Sequence, residues 1–274
     1  MSLKRFNLLL ILIFITTCTY AQRNFEFRSV AELGFVGVLG HKIQFSNNGT
    51  YFDYKKYGGQ DVLFPVSRLS LELDFKNRNT LFFLYQPLRL ETQTLLAEEL
   101  VVDSLTFPAG TGVDLLYNFP FYRISYLREL LPNNEKYSLG IGASVQVRNA
   151  TITFESTDGA LFRTNRDLGV VPIIKTRFKA QLTDWLYTEF EADGFYAPIS
   201  YLNGSDNDVI GAILDASLRT GLKINDPINV FFNIRYLGGG GVGTGDVEFG
   251  EPGDGYLKNW LNLLTVSAGA VYNW

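Results

Sequence analysis

The chain has 274 residues, 15% of them aromatic, with 26 glycines, one histidine, one cysteine, one methionine and a formal net charge of −4. An acidic chain with no basic run is not an electrostatic nucleic-acid binder, and a single histidine excludes a His-cluster metal site. Past the N-terminal segment no stretch is apolar for long enough to make a transmembrane helix. An aromatic, Gly-rich chain of short alternating segments reads as all-β, in one domain.

Lys4 and Arg5 precede an apolar run from Phe6 to Ile15, and Thr19-Tyr20-Ala21 forms a small-x-small site before Gln22. This predicts a secretory signal peptide over 1–21, because the run is well short of the ~20 residues of a spanning helix. Ile15-Thr16-Thr17-Cys18 also admits a lipoprotein reading with Cys18 acylated, although Thr17 is a poor residue before such a cysteine. Cleavage leaves a single domain over 22–274; it removes two of the 24 basic residues and none of the 28 acidic ones, so the net charge becomes −6.

Alternation with period two marks the strands. Leu69, Leu71, Leu73 and Phe75 alternate with Ser70, Glu72 and Asp74. Ile210, Ala212, Leu214, Ala216, Leu218 and Leu222 alternate with Asp215, Ser217, Arg219 and Lys223. The same holds for Val230, Phe232, Ile234 and Tyr236, and for Leu264, Val266, Ala268, Ala270, Tyr272 and Trp274.

Strands are expected at 24–39, 65–76, 80–93, 111–130, 137–155, 166–181, 185–197, 208–223, 228–240 and 259–274. The connections between them alternate between long and short. Loops 40–64, 94–110, 198–207 and 241–258 are long and 156–165 is of medium length; 77–79, 131–136, 182–184 and 224–227 are tight turns. That pattern belongs to a transmembrane antiparallel up-and-down β-barrel of about ten strands, with eight or twelve as alternatives, whose oily faces meet lipid and whose charged faces line the lumen.

Two phase shifts imply bulges. One lies near Phe121, between an outward set Val113, Leu115, Tyr117, Phe119 and a second set Tyr122, Ile124, Tyr126. The other lies near Arg148 and Asn149, between Leu139, Ile141, Val145, Val147 and Ala150, Ile152, Phe154. Strands longer than the ~9–11 residues that cross a bilayer predict a barrel projecting beyond it.

The aromatic terminus Ala268, Ala270, Tyr272, Trp274 looks like the strand that outer-membrane assembly machinery recognises. With Ala21-Gln22, Tyr85-Gln86-Pro87-Leu88, Tyr122-Arg123-Ile124-Ser125-Tyr126, Leu139-Gly140-Ile141-Gly142-Ala143 and Gly238 to Gly241, the chain resembles uncharacterised small outer-membrane barrel proteins of Gram-negative bacteria of the Bacteroidetes type. The resemblance covers most of the chain and implies fold and location; it carries over no functional residue. The partners it implies are outer-membrane lipid and the barrel-assembly machinery, with Tyr272 and Trp274 as the assembly signal.

Signs of catalysis are sparse. His41 falls where the first strand meets the first long loop, near Ser46 and Asp53, which permits a rim-hydrolase reading, but no spacing matches a known pair and the alternative is a solvent-exposed loop histidine. Gly238–Gly241 and Gly243-Thr244-Gly245 lack the Lys-Ser/Thr ending of a phosphate loop. Asp246, Glu248, Glu251 and Asp254 have no regular ligand spacing for calcium, and Asn48, Asn149 and Asn203 head sequons that a bacterium ordinarily carries by chance. No cofactor is expected.

The most informative constellation lies on two neighbouring strands. Lys175, Arg177 and Lys179 share one face, and Glu189, Glu191 and Asp193 share a face of the next strand, so three cations should meet three anions in cross-strand register. Glu72, Asp74, Arg89, Glu91, Arg123, Arg148, Asp215, Arg219 and Arg235 are also expected to face inward. At about ten strands, side chains nearly fill the interior. The expected function is therefore non-enzymatic, an envelope-structural or loop-mediated role with the extracellular ligand open; a narrow small-solute channel and a hydrolase using His41 are the alternatives.

Overall fold

The computed structural model describes residues 25–76, 78–198, 209–245 and 253–274. Residues 1–21, where a signal peptide is expected, with Cys18, the sequon at Asn203, and Asp246, Glu248 and Glu251 lie outside the described residues. The elements are β1 (Phe25–Phe45), β2 (Phe52–Asp53), β3 (Leu63–Phe75), β4 (Asn79–Gln86), β5 (Arg89–Leu95), β6 (Leu100–Val102), β7 (Leu105–Phe107), β8 (Gly112–Asn118), β9 (Phe121–Glu129), β10 (Tyr137–Ser156), β11 (Phe162–Gln181), β12 (Leu186–Pro198), β13 (Ile210–Lys223), β14 (Ile228–Thr244) and β15 (Tyr256–Asn273).

Each long strand pairs antiparallel with its neighbour in sequence, and β1 pairs with β15 from Arg28↔Asn273 to Phe45↔Leu257, which closes the sheet. β4 and β5 make one stave, interrupted at Pro87-Leu88, and β8 and β9 make another, interrupted at Phe119-Pro120. Proline has no N–H to give a ladder, so both breaks fall where the sequence cannot donate. The wall is a closed barrel of ten staves, with tight turns at one end and long connections at the other.

The outer surface is apolar over much of its height. Leu33, Phe35, Leu69, Leu71, Ile141, Val145, Ile174, Leu218, Phe232 and Val266 are all exposed, while Glu32, Glu72, Arg123, Asp193, Asp215 and Arg235 are buried inside. This is the inverse of a soluble barrel.

Toward the long-loop end the inside becomes apolar. Val36, Ile43, Phe45, Phe64, Leu88, Leu90, Val113, Leu115, Tyr117, Ile152 and Phe154 pack there with Phe52 and Tyr54 of the first loop and with Leu100, Val102 and Phe107 of the β6–β7 hairpin. Burying each such side chain fully contributes about 1.5–3 kcal/mol. The cap is thus a core in its own right, and the first two long loops are part of it.

This cap corrects the two expected phase shifts. Along β10 the inward positions stay even-numbered, from Gly140 and Ser144 to Ala150, Ile152 and Phe154, with no bulge at Arg148. Along β8 and β9 they stay odd-numbered, so Val113, Leu115 and Tyr117 point inward with Phe121, Arg123 and Leu127. The apolar residues change sides because the surroundings change from lipid-like outside to core inside, while the strand keeps its phase. A real irregularity lies in β1 between Val38 and Gly40; past it the inward set moves to His41, Ile43 and Phe45.

The glycine run Gly238–Gly241 belongs to β14, which continues to Thr244. Gly239 has φ +151° and a Cβ there would sit 2.3 Å from the Ala212 carbonyl oxygen, so the run serves close strand approach.

Candidate functional site

Parity of the strands builds the charged belt. In the β11–β12 register Lys175 lies opposite Asp193, Arg177 opposite Glu191, and Lys179 opposite Glu189. The ion pairs run further than that ladder. Lys175 Nζ lies 3.2 Å from Asp193 and 3.3 Å from Glu191. Arg177, expected to pair with Glu189 or Glu191, instead reaches across the lumen to Glu72 at 3.1 Å, because its long side chain spans the narrow interior. Lys179 sets its ammonium 4.4 Å from the Tyr187 ring centre.

Arg219 bridges Glu32 at 2.8 Å and Glu189 at 3.1 Å, and Glu32 also accepts hydrogen bonds from Asn233 Nδ2 and Ser267 Oγ. Higher up, Asp215 accepts from Arg235 at 2.6 Å and lies 3.0 Å from Arg123 and 3.7 Å from Arg68. Asp193 and Asp215 are directly opposite in the β12–β13 register. Arg123, which is 1% exposed, is paired with both and donates to Gln146 at 2.7 and 3.0 Å, so one guanidinium holds two facing carboxylates together.

The belt has the apolar cap above it and, below it, an apolar patch on the β14–β15–β1 wall. Val30, Phe231 and Val271 cluster toward the tight-turn end, with Arg219 stacked 4.0 Å over Phe231, and the cap lies on the other side. A cavity of about 20 Å³ lies between Arg68, Glu72, Arg123 and Lys175, and one of about 10 Å³ lies beside Glu32, Arg68 and Arg235. One water needs ~10–15 Å³, so each of these spaces suits an isolated water.

Several belt residues escape the sequence reading. Arg28 bridges Glu72 at 2.8 Å and Asp74 at 2.6 Å, and Arg68 donates to Gln86 at 2.7 Å. Arg28 and Glu32 share a phase in β1, against Ala31, Leu33 and Phe35, so the alternation carried the signal. Conversely, Arg89 and Glu91, expected inside, face solvent and pair with each other at 2.8 Å above the Pro87 break. Arg148 pairs with Asp167 at 3.1 Å.

His41 is fully buried in β1, which corrects the reading of a solvent-exposed loop residue. Its ring stacks on Tyr54 at 4.4 Å and meets Tyr117 edge-on at 4.4 Å, and Nδ1 is hydrogen-bonded to Gln60 Oε1 at 2.8 Å. Among the described residues no hydroxyl or carboxylate is hydrogen-bonded to it. Nor do the described residues gather three or more metal-ligating side chains. At the tight-turn end Trp274 donates its indole N–H to Ser29 Oγ at 2.9 Å and packs edge-on with Tyr272 at 5.0 Å.

A closed, even-stave antiparallel wall, apolar outside and charged inside, is decisive. The fold is that of an outer-membrane β-barrel. No family model and no curated protein matches the chain. Solved structures do. The outer membrane protease OmpT from Escherichia coli has a TM-score of 0.46 and 13% identity over 91% of this chain and 97% of that one. A FadL homologue of Pseudomonas aeruginosa has a TM-score of 0.41 and 8% identity over 91% and 90%. Ail, the attachment invasion locus protein of Yersinia pestis, in complex with the heparin analogue sucrose octasulfate, has a TM-score of 0.37 and 10% identity over 91% and 99%. No residue role passes from these proteins to this one.

Proposed function

We propose that the protein is a closed, non-enzymatic barrel of the bacterial outer membrane, an envelope-structural element that holds its long loops toward the cell exterior as a platform for a partner. The observation that carries this reading is the filling of the lumen at two levels, the cross-lumen ion-paired belt and the aromatic cap. Side chains as polar as Arg123 and Asp215 are 1% exposed, which is the condition of a filled cylinder and not of a wet pore. The first two long loops are folded against the barrel end, which suits presentation of a fixed surface. The burial of His41 between Tyr54 and Tyr117 gives the hydrolase alternative no support. Tyr272 and Trp274, at the end of β15, are the residues we assign to recognition by the assembly machinery.

The test is conductance in planar bilayers of protein first shown to be inserted by its different migration on a denaturing gel with and without boiling. The expected result is a heat-modifiable protein that leaves the bilayer silent. Stepwise single-channel openings overturn the closed reading, and a detergent-free soluble monomer overturns the membrane reading.

A further inference from the structure

The height of the apolar band can be read along β1. Phe27, Leu33, Phe35 and Leu39 are exposed along its outer side, and Phe25, also exposed, borders them at the tight-turn end. Twelve residues at ~3.4 Å each, tilted ~40°, rise about 31 Å, close to the ~30 Å of a hydrocarbon core. Lys42, the next outward charge on β1, therefore lies roughly 8 Å above the band, in the headgroup layer.

There it has company. Lys258 of β15 is opposite Gln44 in the β1–β15 register, and the exposed Tyr51 ring carries both ammonium groups, Lys42 Nζ at 5.7 Å and Lys258 Nζ at 4.4 Å from its centre. Trp260, opposite Lys42, lies on the same outer face, and Lys56 sits 4.7 Å over the neighbouring Tyr57. One carboxylate is near, Asp53 at 3.5 Å from Lys42; among the described residues Lys258 forms no ion pair. Asp53 offsets one of the two charges gathered on the ring, which leaves one positive charge there for an outside anion. An aromatic residue with lysines at a bilayer border is also the arrangement that reads headgroups.

We propose that Lys42 and Lys258, gathered over Tyr51 just above the apolar band, bind the phosphate-bearing headgroup of a lipid in the surrounding outer leaflet. The proposal rests on the membrane reading given above. The two ammonium groups supply the positive field, the Tyr51 and Trp260 rings cover the headgroup's apolar side, and the acyl chains run down past Leu39.

The test is native mass spectrometry of the full chain in neutral detergent, with phosphatidic acid as a phosphomonoester lipid probe and phosphatidylcholine as the comparison. The wild type should retain phosphatidic acid in preference, and the preference should fall with salt. Lys42→Gln and Lys258→Gln should each weaken retention about fivefold and their combination more than tenfold, since a juxtamembrane lysine is worth about that factor. Lys42→Arg should retain binding. The matched control Lys136→Gln/Lys223→Gln removes two charges at the tight-turn end and should leave retention unchanged.

Equal loss in the control, or no preference in the wild type, overturns the proposal. Displacement by millimolar inorganic phosphate alone assigns the site to a soluble anion and overturns the lipid source. Heat-modifiability of every variant is recorded alongside, so that failure of insertion is distinguished from failure of lipid binding.

Discussion

Replacing Arg123 with alanine probes whether the belt is dry. The side chain is 1% exposed and is paired with Asp193, Asp215 and Gln146, and its removal leaves Asp193 and Asp215 facing each other in register. Removing one partner of a buried pair costs ~3–5 kcal/mol, whereas an exposed pair is worth ~0–1. Asp215 keeps Arg235 at 2.6 Å, and Asp193 keeps Lys175 at 3.2 Å, so the loss should fall at the lower end, about 3 kcal/mol. Urea unfolding in lipid vesicles, followed by fluorescence of Trp185, Trp260 and Trp274, measures it. Asp193→Asn in the Arg123→Ala background removes one of the facing charges and should restore part of the loss, with a coupling of ~0.5–3 kcal/mol. A loss below about 1 kcal/mol, or strict additivity of the two substitutions, would mean that water reaches the belt and screens it as it does an exposed pair.

The height of the band predicts that a cation on the outer face is tolerated only near its borders. Ile141→Arg, in the apolar part of β10, should cost ~2–4 kcal/mol and Thr153→Arg, on the same outer face near the cap, ~0–1, by the same urea titration. Equal costs would misplace the bilayer. In the β10–β11 turn the Asp158 carboxylate accepts from Ser156 Oγ at 2.6 Å and from the Ala160 amide at 3.0 Å, and these bonds lower its pKa below the ordinary 3.8. Because the folded pKa is the lower one, the turn's stabilisation is present above pH 3.8 and is lost as the pH falls through the folded value. NMR titration of Asp158 with a midpoint at or above 3.8 would contradict this.

Much of the architecture was legible because β13, β14 and most of β15 keep one oily and one charged face over most of their length. The tight turns at 182–184 and 224–227 then fix the order of the staves. The belt partners were less legible. Parity places Arg177 inside, but its pairing with Glu72, 105 positions away, depends on how far a long side chain reaches across a closed lumen. His41 was misplaced because a long polar connection ordinarily means solvent, and nothing local shows that Phe52, Tyr54 and Gln60 fold back over the barrel end.

The two misread phase shifts have a common physical cause. Alternation identifies the apolar face of a strand, and a rule that the apolar face is outside holds only while lipid is outside. In β10 the exposed apolar set ends at Val147, and the buried apolar set begins at Ala150, with no change in which parity points inward. In β9 and β8 the change falls between the exposed Tyr122 and the buried Tyr117. These crossovers mark the level at which the bilayer ends and a water-facing wall around an apolar core begins. β1 reaches the same result by another route. Its residues Ile43 and Phe45 have the parity that faced outward in Leu33 and Phe35, so the irregularity between Val38 and Gly40 is needed to turn them into the cap. An apparent phase shift in a barrel sequence therefore has two structural solutions, a change of surroundings or a change of register. The bulge in β1 carries Gly40 next to it, whereas the β10 crossover at Arg148-Asn149 carries no glycine to ease one.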